Sequence, residues 1–363
     1  MPALAPSSLS PAAPRHLILP FAACSAEAWL PTVQALPPGS QRHLSALLQG
    51  MALIHTDTQE AESLSPPHER ALAQALGLSS PGAPDGLMPW AAQEAAQHLP
   101  ERAGNADSAD SADSADSADS ADSADSADKA WAWITPCHWA MGHIHATLTD
   151  PAALALSEDQ SRALLAVMQP YFETDGITLH YLPALGPQRW LAEGELFRKL
   201  PTAALDRVLA RNVDAWLPEG LQARPLRRLQ NEIQMLLYTH PFNDAREVRR
   251  QLPVNSFWIS GTGHLPSSLS GRTLTDAAQI SAPRSLAQAV FKEDWAAYAQ
   301  AWQALDAGDI AGLLERQRAG EIVRLTLCGE RSTQTFESRR PGLVKRILAI
   351  FSPVRVGDVL RGL

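Results

Sequence analysis

Residues 240–263 read HPFNDAREVRRQLPVNSFWISGTG, and the interpretation of the chain turns on how this stretch folds. Upstream, Pro225 opens a helix whose Leu226, Leu229, Ile233, Leu236 and Leu237 share one face at helical spacing. Pro241 ends that helix, because proline lacks an N–H and clashes with the preceding turn. Asn243 is then placed to cap a short second helix, with Asp244 and Glu247 near its positive end and Arg249 and Arg250 near its negative end. Pro253 stops this helix in turn. Residues 254–260, VNSFWIS, have the β-branched and aromatic composition of a strand buried on both faces. The strand is expected to break at Gly261-Thr262-Gly263, just past its carboxyl end, where open α/β sheets bind ligands. A turn of that kind cradles an anion with backbone N–H groups, and Asn243, Arg246 and Asn255 stand nearby in the motif. Alternatively, those three side chains fix the crossing from helix to strand through caps and backbone hydrogen bonds.

His240-Pro241, Asn243 and Arg246, followed by Pro253, Asn255, Trp258, Gly261 and Gly263, resemble a motif of the archaeal-type cofactor-independent phosphoglycerate mutases. The chain as a whole resembles a bacterial group labelled RpfE-type regulatory proteins, through SPPHERALAQALGL, TPCHWAMG, DGITLHY and RLTLCGE. The mutase resemblance implies an α/β fold with a mixed, mainly parallel sheet flanked by helices, alkaline-phosphatase-like or a degenerate version of it. Enzymes of that superfamily hold two divalent metals among Asp and His ligands, and a Ser or Thr accepts the phosphoryl group. Related mutases carry Asp-Gly directly after the first strand. Here the matching place is Pro20-Phe-Ala-Ala-Cys24, with no carboxylate before Glu27, and no histidine lies beyond His264. The resemblance thus implies a relative without the metal and nucleophile equipment. Its role would be non-catalytic or regulatory, with no cofactor and no metal. A phosphorylated or carboxylated metabolite would bind at His240, Asn243, Arg246, Asn255, Gly261, Thr262 and Gly263. The alternatives are an active cofactor-independent phosphoglycerate mutase or phosphatase, and a scaffold that binds protein partners through an acidic loop or a basic C-terminal helix.

At 363 residues the chain can bury a large core, as one α/β domain over 15–363 or as two intimate lobes, after a disordered leader at 1–14. The net charge is −9, but eight of the acidic residues belong to a single Ala-Asp-Ser repeat at 106–128. No Lys/Arg-rich block occurs, so no footprint for nucleic acid is present. Cys24, Cys137 and Cys328 are far apart, odd in number and without metal-type spacing, which fits a reducing cytoplasm. Phe21-Ala-Ala-Cys24 has the form of a lipoprotein cleavage site, yet no basic region precedes it and Pro20 interrupts its short apolar run. The stretch 16–22 reads instead as the first buried strand. No segment approaches the ~18 apolar residues a membrane helix needs.

In chain order, 26–35 and 41–49 carry helical patterns, and Ser65-Pro-Pro starts another helix with Ser65 as its cap. Residues 131–139 and 143–149 read as two strands around Met141-Gly142. On the second, His143 and His145 alternate onto one face as either a metal pair or ordinary partly buried histidines. Cys137 beside His138 makes no catalytic dyad, since neighbours on a strand point to opposite faces. Ser157 caps a helix over 157–169, and 177–181 is a strand. Thr202 begins a helix to 211, Asp309 caps another at 310–318, and 322–328 alternates as a strand. The tail 342–351 has a basic amphipathic pattern with Lys345 and Arg346. In the repeat at 106–128, one charge per three residues and no large apolar side chain leave nothing to offset the entropy of ordering. Deleting 106–128 is therefore expected to leave the melting temperature of the chain unchanged. A drop of several degrees would show that the tract packs against the body.

Overall fold

The computed structural model describes residues 15–79, 83–99, 129–265, 279–339 and 355–363. The expected leader, the Ala-Asp-Ser repeat and the basic tail pattern lie outside these residues. In chain order the strands are β1 (Arg15–Leu19), β2 (Met51–Thr58), β3 (Ala130–Cys137), β4 (Trp139–Met141), β5 (Ala146–Leu148), β6 (Thr178–His180), β7 (Trp190–Glu193), β8 (Ser256–His264), β9 (Ile280–Ser281), β10 (Val323–Cys328) and β11 (Ser332–Ser338). The α-helices are α1 (Trp29–Gln34), α2 (Arg42–Gln49), α3 (Pro67–Ala75), α4 (Trp90–His98), α5 (Glu158–Glu173), α6 (Leu205–Val208), α7 (Arg224–Tyr238), α8 (Pro241–Val248), α9 (Ser285–Phe291), α10 (Trp295–Leu305), α11 (Ala311–Arg318) and α12 (Val356–Arg361). The chain divides into two compact units: Met1–Gln59 with Leu274–Leu363, and Glu60–Thr273.

In the first unit a five-stranded sheet runs in the order β2-β11-β10-β1-β9. β1 is parallel to both β10 and β9, whereas β11 is antiparallel to β10 and to β2. Alternate residues of β1 and β10 (Leu17, Leu19, Val323, Leu325 and Leu327) share a core with Leu44, Leu47 and Leu48 of α2, Tyr298 and Trp302 of α10, and Leu313 and Leu314 of α11. The period of two in the strands and of three to four in the helices is the pattern such a layer requires. His16 lies on the opposite side of β1, where its Nε2 is 2.7 Å from Thr326 Oγ1. Burial, helped by Arg324, pushes the His16 imidazole down to about 4. A π-helical turn, Asp306–Ile310, joins α10 to α11. It places the buried Asp306 carboxylate against the start of α2, where it accepts the N–H groups of His43 (3.2 Å) and Leu44 (2.9 Å). These are two of the orphan donors of the first turn of α2, which has no cap from its own preceding residue. Asp309, expected as a helix cap, falls inside the π-helical turn instead.

The second unit holds a four-stranded sheet in the order β6-β7-β3-β8 and a separate β4–β5 hairpin. Every ladder in both is antiparallel. A mixed α/β protein with helices is therefore observed, but the expected predominance of parallel pairing is corrected. The reason is physical. Ala130, Ala132 and Ile134 of β3 face Leu164, Met168 and Phe172 of α5 and Leu226, Leu229 and Ile233 of α7. Trp131, on the other face, packs with Ala73 of α3 and with Trp90, Ala91, Ala92 and Ala95 of α4. A strand covered by helices on both faces reads as a continuous apolar run whichever way its neighbours point.

Local expectations fared unevenly. Ser157 caps α5, and Gln160 completes a capping box with it. Ser65 does not cap α3; its hydroxyl instead accepts the N–H of Gly86 at 2.9 Å. The hairpin at Met141-Gly142 is present as β4–β5, closed by Gly142 N–H to His145 O at 3.0 Å. The helix expected at 202–211 shrinks to α6, after which Leu209 and Asn212 bridge to Leu148 and Thr147. The strand β2 was not foreseen. Trp258 is 1% exposed and donates its indole N–H to Ala203 O at 3.0 Å. Trp258→Ala should cost about 3–5 kcal/mol in denaturant unfolding through the cavity it leaves. A loss of only a few tenths would contradict its place in the core.

Candidate functional site

The motif residues at 240–255 lie in the second unit, and most are committed to backbone. His240, not Asn243, is the cap of α8: its Nδ1 accepts the N–H of Phe242 at 3.1 Å. Asn243 sits in the first turn of α8 and bridges two chain segments. Its Nδ2 donates to Leu237 O (2.8 Å) and Val254 O (2.7 Å), while its Oδ1 accepts Val254 N–H (3.0 Å). Asn255 does the same for β4, accepting Trp139 N–H at 2.7 Å and donating to Trp139 O at 3.0 Å. α8 closes in a Schellman turn, with Arg250 at φ 55° and Gln251 N–H returning to Arg246 O at 2.9 Å. Arg246 is 0% exposed. Its guanidinium donates to Leu252 O (2.8 Å), Leu154 O (2.6 Å) and Gln160 Oε1 (3.2 Å). Of the two readings of these side chains, the geometry matches the one in which they fix the crossing from helix to strand.

The glycines tell a similar story. β8 does not end at Ser260 but runs on through Gly261, Thr262 and Gly263 to His264, so the expected loop is corrected to a strand. Its register against β3 shifts between Trp131 and Trp133, which is a β-bulge. Gly261 has φ +64°, and a Cβ there would lie 2.8 Å from the Trp133 ring. A Cβ on Gly263 would meet Pro89 at 3.2 Å. The buried Thr262 hydroxyl is surrounded by Leu200 O (2.7 Å), Thr202 Oγ1 (2.9 Å) and Gly86 O (3.2 Å). These residues pack protein against protein where an anion cradle was expected, and a bulge produces the same Gly-x-Gly signal as a phosphate loop.

His143 and His145 are exposed in the β4–β5 turn, not alternating along a strand. His138 turns its Nδ1 to Pro253 O at 2.9 Å. Among the described residues no group of three or more His, Cys, Asp or Glu is placed to hold a metal ion. A buried polar cluster outside the expected site lies at the start of α3. His68 Nε2 lies 3.0 Å from Asp206 Oδ2, and Arg70 donates to Ser65 O and Ser63 Oγ. Asp85 accepts the N–H groups of Leu64 (2.6 Å) and Ser65 (2.9 Å). The signal for it was the density of polar residues around Ser65-Pro-Pro-His-Glu-Arg70.

A different place satisfies the general rule for ligands in α/β sheets. In the first unit β1, β2 and β10 run the same way, and a cavity of about 370 Å³ opens at their carboxyl ends. It is lined by Cys24, Ser25, Thr58, Glu330, Arg331 and Arg361, with Trp29 and Leu360 as apolar walls. The turn after β1 is locked. Phe21 stands at φ 54°, and the Tyr298 hydroxyl, itself accepting Trp29 Nε1–H at 3.0 Å, lies 3.0 Å from both Phe21 O and Ala22 O. Burial pushes the Cys24 thiol up to about 11, so it is protonated and a poor nucleophile at neutral pH. Ser25 donates its hydroxyl to the Glu330 carboxylate, which also accepts Ser25 N–H at 3.1 Å. Arg331 is exposed, and Arg361 pairs with Asp358 at the rim. The sequence signal for this cavity was present in the small residues after the first strand, but its second half lies some 300 residues away in the chain, across the carboxyl end of β10.

No family model matches the sequence, and no curated protein does. Among solved structures the chain is similar to the cofactor-independent phosphoglycerate mutase from Thermoplasma acidophilum DSM 1728. The identity is 10%, over 96% of this chain and 99% of that one, at a TM-score of 0.32. It is also similar to the PH0037 protein from Pyrococcus horikoshii, with 9% identity over 90% of this chain and 87% of that one, at a TM-score of 0.40. Both likenesses are distant. Among the described residues no helix is long and apolar enough to cross a membrane.

Arg246→Ala should destabilise the chain by about 2–5 kcal/mol in denaturant unfolding, because it leaves buried carbonyl groups without donors. Arg246→Lys should recover little of this, since an ammonium cannot reach three directions in one plane. A variant of wild-type stability would show that Arg246 is held for a ligand and not for the fold.

Proposed function

We propose that the chain is a non-catalytic, regulatory binding protein of the cytoplasm, built on a degenerate alkaline-phosphatase-like fold. It would take a small phosphorylated or carboxylated metabolite in the cavity at the carboxyl ends of β1, β2 and β10. One observation carries this reading. The turn following β1, where the resembling mutases place a metal-binding carboxylate, is occupied by Phe21, Ala22 and Ala23, with its carbonyls engaged by Tyr298. Phosphoryl transfer depends on neutralising charge on the transferred group, and metals supply most of that neutralisation. Binding is less demanding. Arg331 brings positive charge to the cavity and Arg361, paired with Asp358, stands at its rim, while Thr58 offers a hydroxyl group and Ser25 holds the Glu330 carboxylate. Trp29 and Leu360 would cover the apolar part of an organic acid.

The test is thermal unfolding of the full chain titrated with 3-phosphoglycerate, glycerate and inorganic phosphate, alongside mutase and phosphatase assays and metal analysis. A ligand at 100 times its Kd should stabilise by about 2.7 kcal/mol. The double variant Arg331→Ala, Arg361→Ala should lose that response, with no turnover in either protein. Turnover above background together with two tightly bound divalent ions would overturn the proposal. No stabilisation by any of the three compounds would overturn it in favour of a scaffold.

A further inference from the structure

In the second unit, α7, α8 and the β4–β5 hairpin wall a groove of about 520 Å³ that the reading above does not use. We propose that this groove docks a basic, amphipathic segment of a partner polypeptide. Each wall presents an ordered row of side chains. Gln234, Leu237 and Tyr238 stand at i, i+3 and i+4 of α7, and Asp244 and Glu247 at i and i+3 of α8. The floor is stiff, because Asn243 and Asn255 spend their amides on Leu237, Val254 and Trp139.

Two observations point to the occupant. The first is apolar exposure: Met141 is 80% exposed and Tyr238 84%, both lining the groove, with Ile144 at the hairpin turn 92% exposed. Val248, four residues from Asp244 along α8, is 86% exposed. Met141 and Tyr238, large exposed apolar side chains on two walls of one groove, mark an interaction surface. The second is charge. Asp244 and Glu247 are exposed and make no ion pair among the described residues, and no Lys or Arg lines the groove. Arg249 and Arg250 follow on the same chain but do not line it. Two carboxylates one helical turn apart beside an apolar strip complement a helix that carries Lys or Arg next to an apolar face. The same carboxylates repel an anionic metabolite or an anionic lipid surface.

Fluorescence anisotropy of the full chain with a labelled synthetic amphipathic helix of leucine and lysine tests this, with a leucine–glutamate helix as control. The lysine helix should bind at least about tenfold tighter than the control, and its affinity should fall with added salt. Asp244→Asn with Glu247→Gln should weaken binding by about tenfold, and Tyr238→Ser by a similar factor. Tyr238→Ser should leave the melting temperature unchanged because the side chain is exposed, and the double variant should lower it only slightly, since Asp244 leaves the first turn of α8. Amide exchange should slow at 139–148 and 241–251 on binding. Equal affinity for the two helices, or variants that bind like the parent, would overturn the proposal. Self-association of the chain that Tyr238→Ser abolishes would overturn it too, by assigning the groove to a second copy.

Discussion

A positive charge with no exposure needs a reason to stay charged, and in the second unit Arg246 is held almost wholly by neutral oxygen atoms. Leu154 O ends a short 3-10 helix, and Leu252 O follows the Schellman turn of α8. Leu154 O lies at the negative end of its short helix, and Leu252 O is a neutral carbonyl beyond the turn, so the buried cation is held without a carboxylate. Gln160, the third acceptor, also completes the capping box of α5 with the same oxygen. One guanidinium therefore ties the first turn of α5, the exit of α8 and the approach to β8. Removing it would loosen three elements at once, although it touches no surface.

The same device recurs in smaller form. Asp306 supplies donors at the start of α2 with an acceptor from a distant π-helical turn. Asp85 does so for the loop before α3, and Asn243 and Asn255 do so around α8 and β4. Asp306 is buried and satisfies backbone groups that would otherwise lack partners, which costs more than the bond itself contributes. Asp85 is exposed and the two asparagines half-buried, and their bonds fix the local path of the chain. Buried polar residues in this chain mostly hold its turns, so a cluster of them is weak grounds for assigning chemistry.

Legibility followed that division. The helices α5 and α7 were readable because their apolar faces repeat at helical spacing and Ser157 and Pro225 mark their starts. The strand β8 was readable as buried, but not as antiparallel, because burial on both faces erases the alternation that would have told the two apart. β3 was readable as a strand, but not its pairing with β7 and β8. Gly261 and Gly263 were visible as special positions, yet the sequence carries no mark of Trp133 and Pro89, the atoms that require them. Asn243 and Arg246 stood out in the sequence under two readings, ligand binding or structural bonds, and their hydrogen bonds here run to backbone groups and Gln160. Of the cavity beside Cys24 and Arg331 only the first half left a mark in the sequence, in the small residues after β1; the second lies far along the chain, and only the pairing of β1 with β10 joins them.

That pairing has a consequence for how the protein is made. β1 meets β9 at Ile280 and β10 at Val323, and the whole of Glu60–Thr273 is synthesised in between. At ordinary translation rates of about 5–20 residues per second, β1 waits on the order of tens of seconds for its neighbours. Until then the apolar run Leu17, Ile18 and Leu19 has no strand of its sheet to pair with. The second unit has all its strands within one continuous stretch and meets no such delay. Of the two units, the one whose first strand is made earlier is thus the later to complete its sheet.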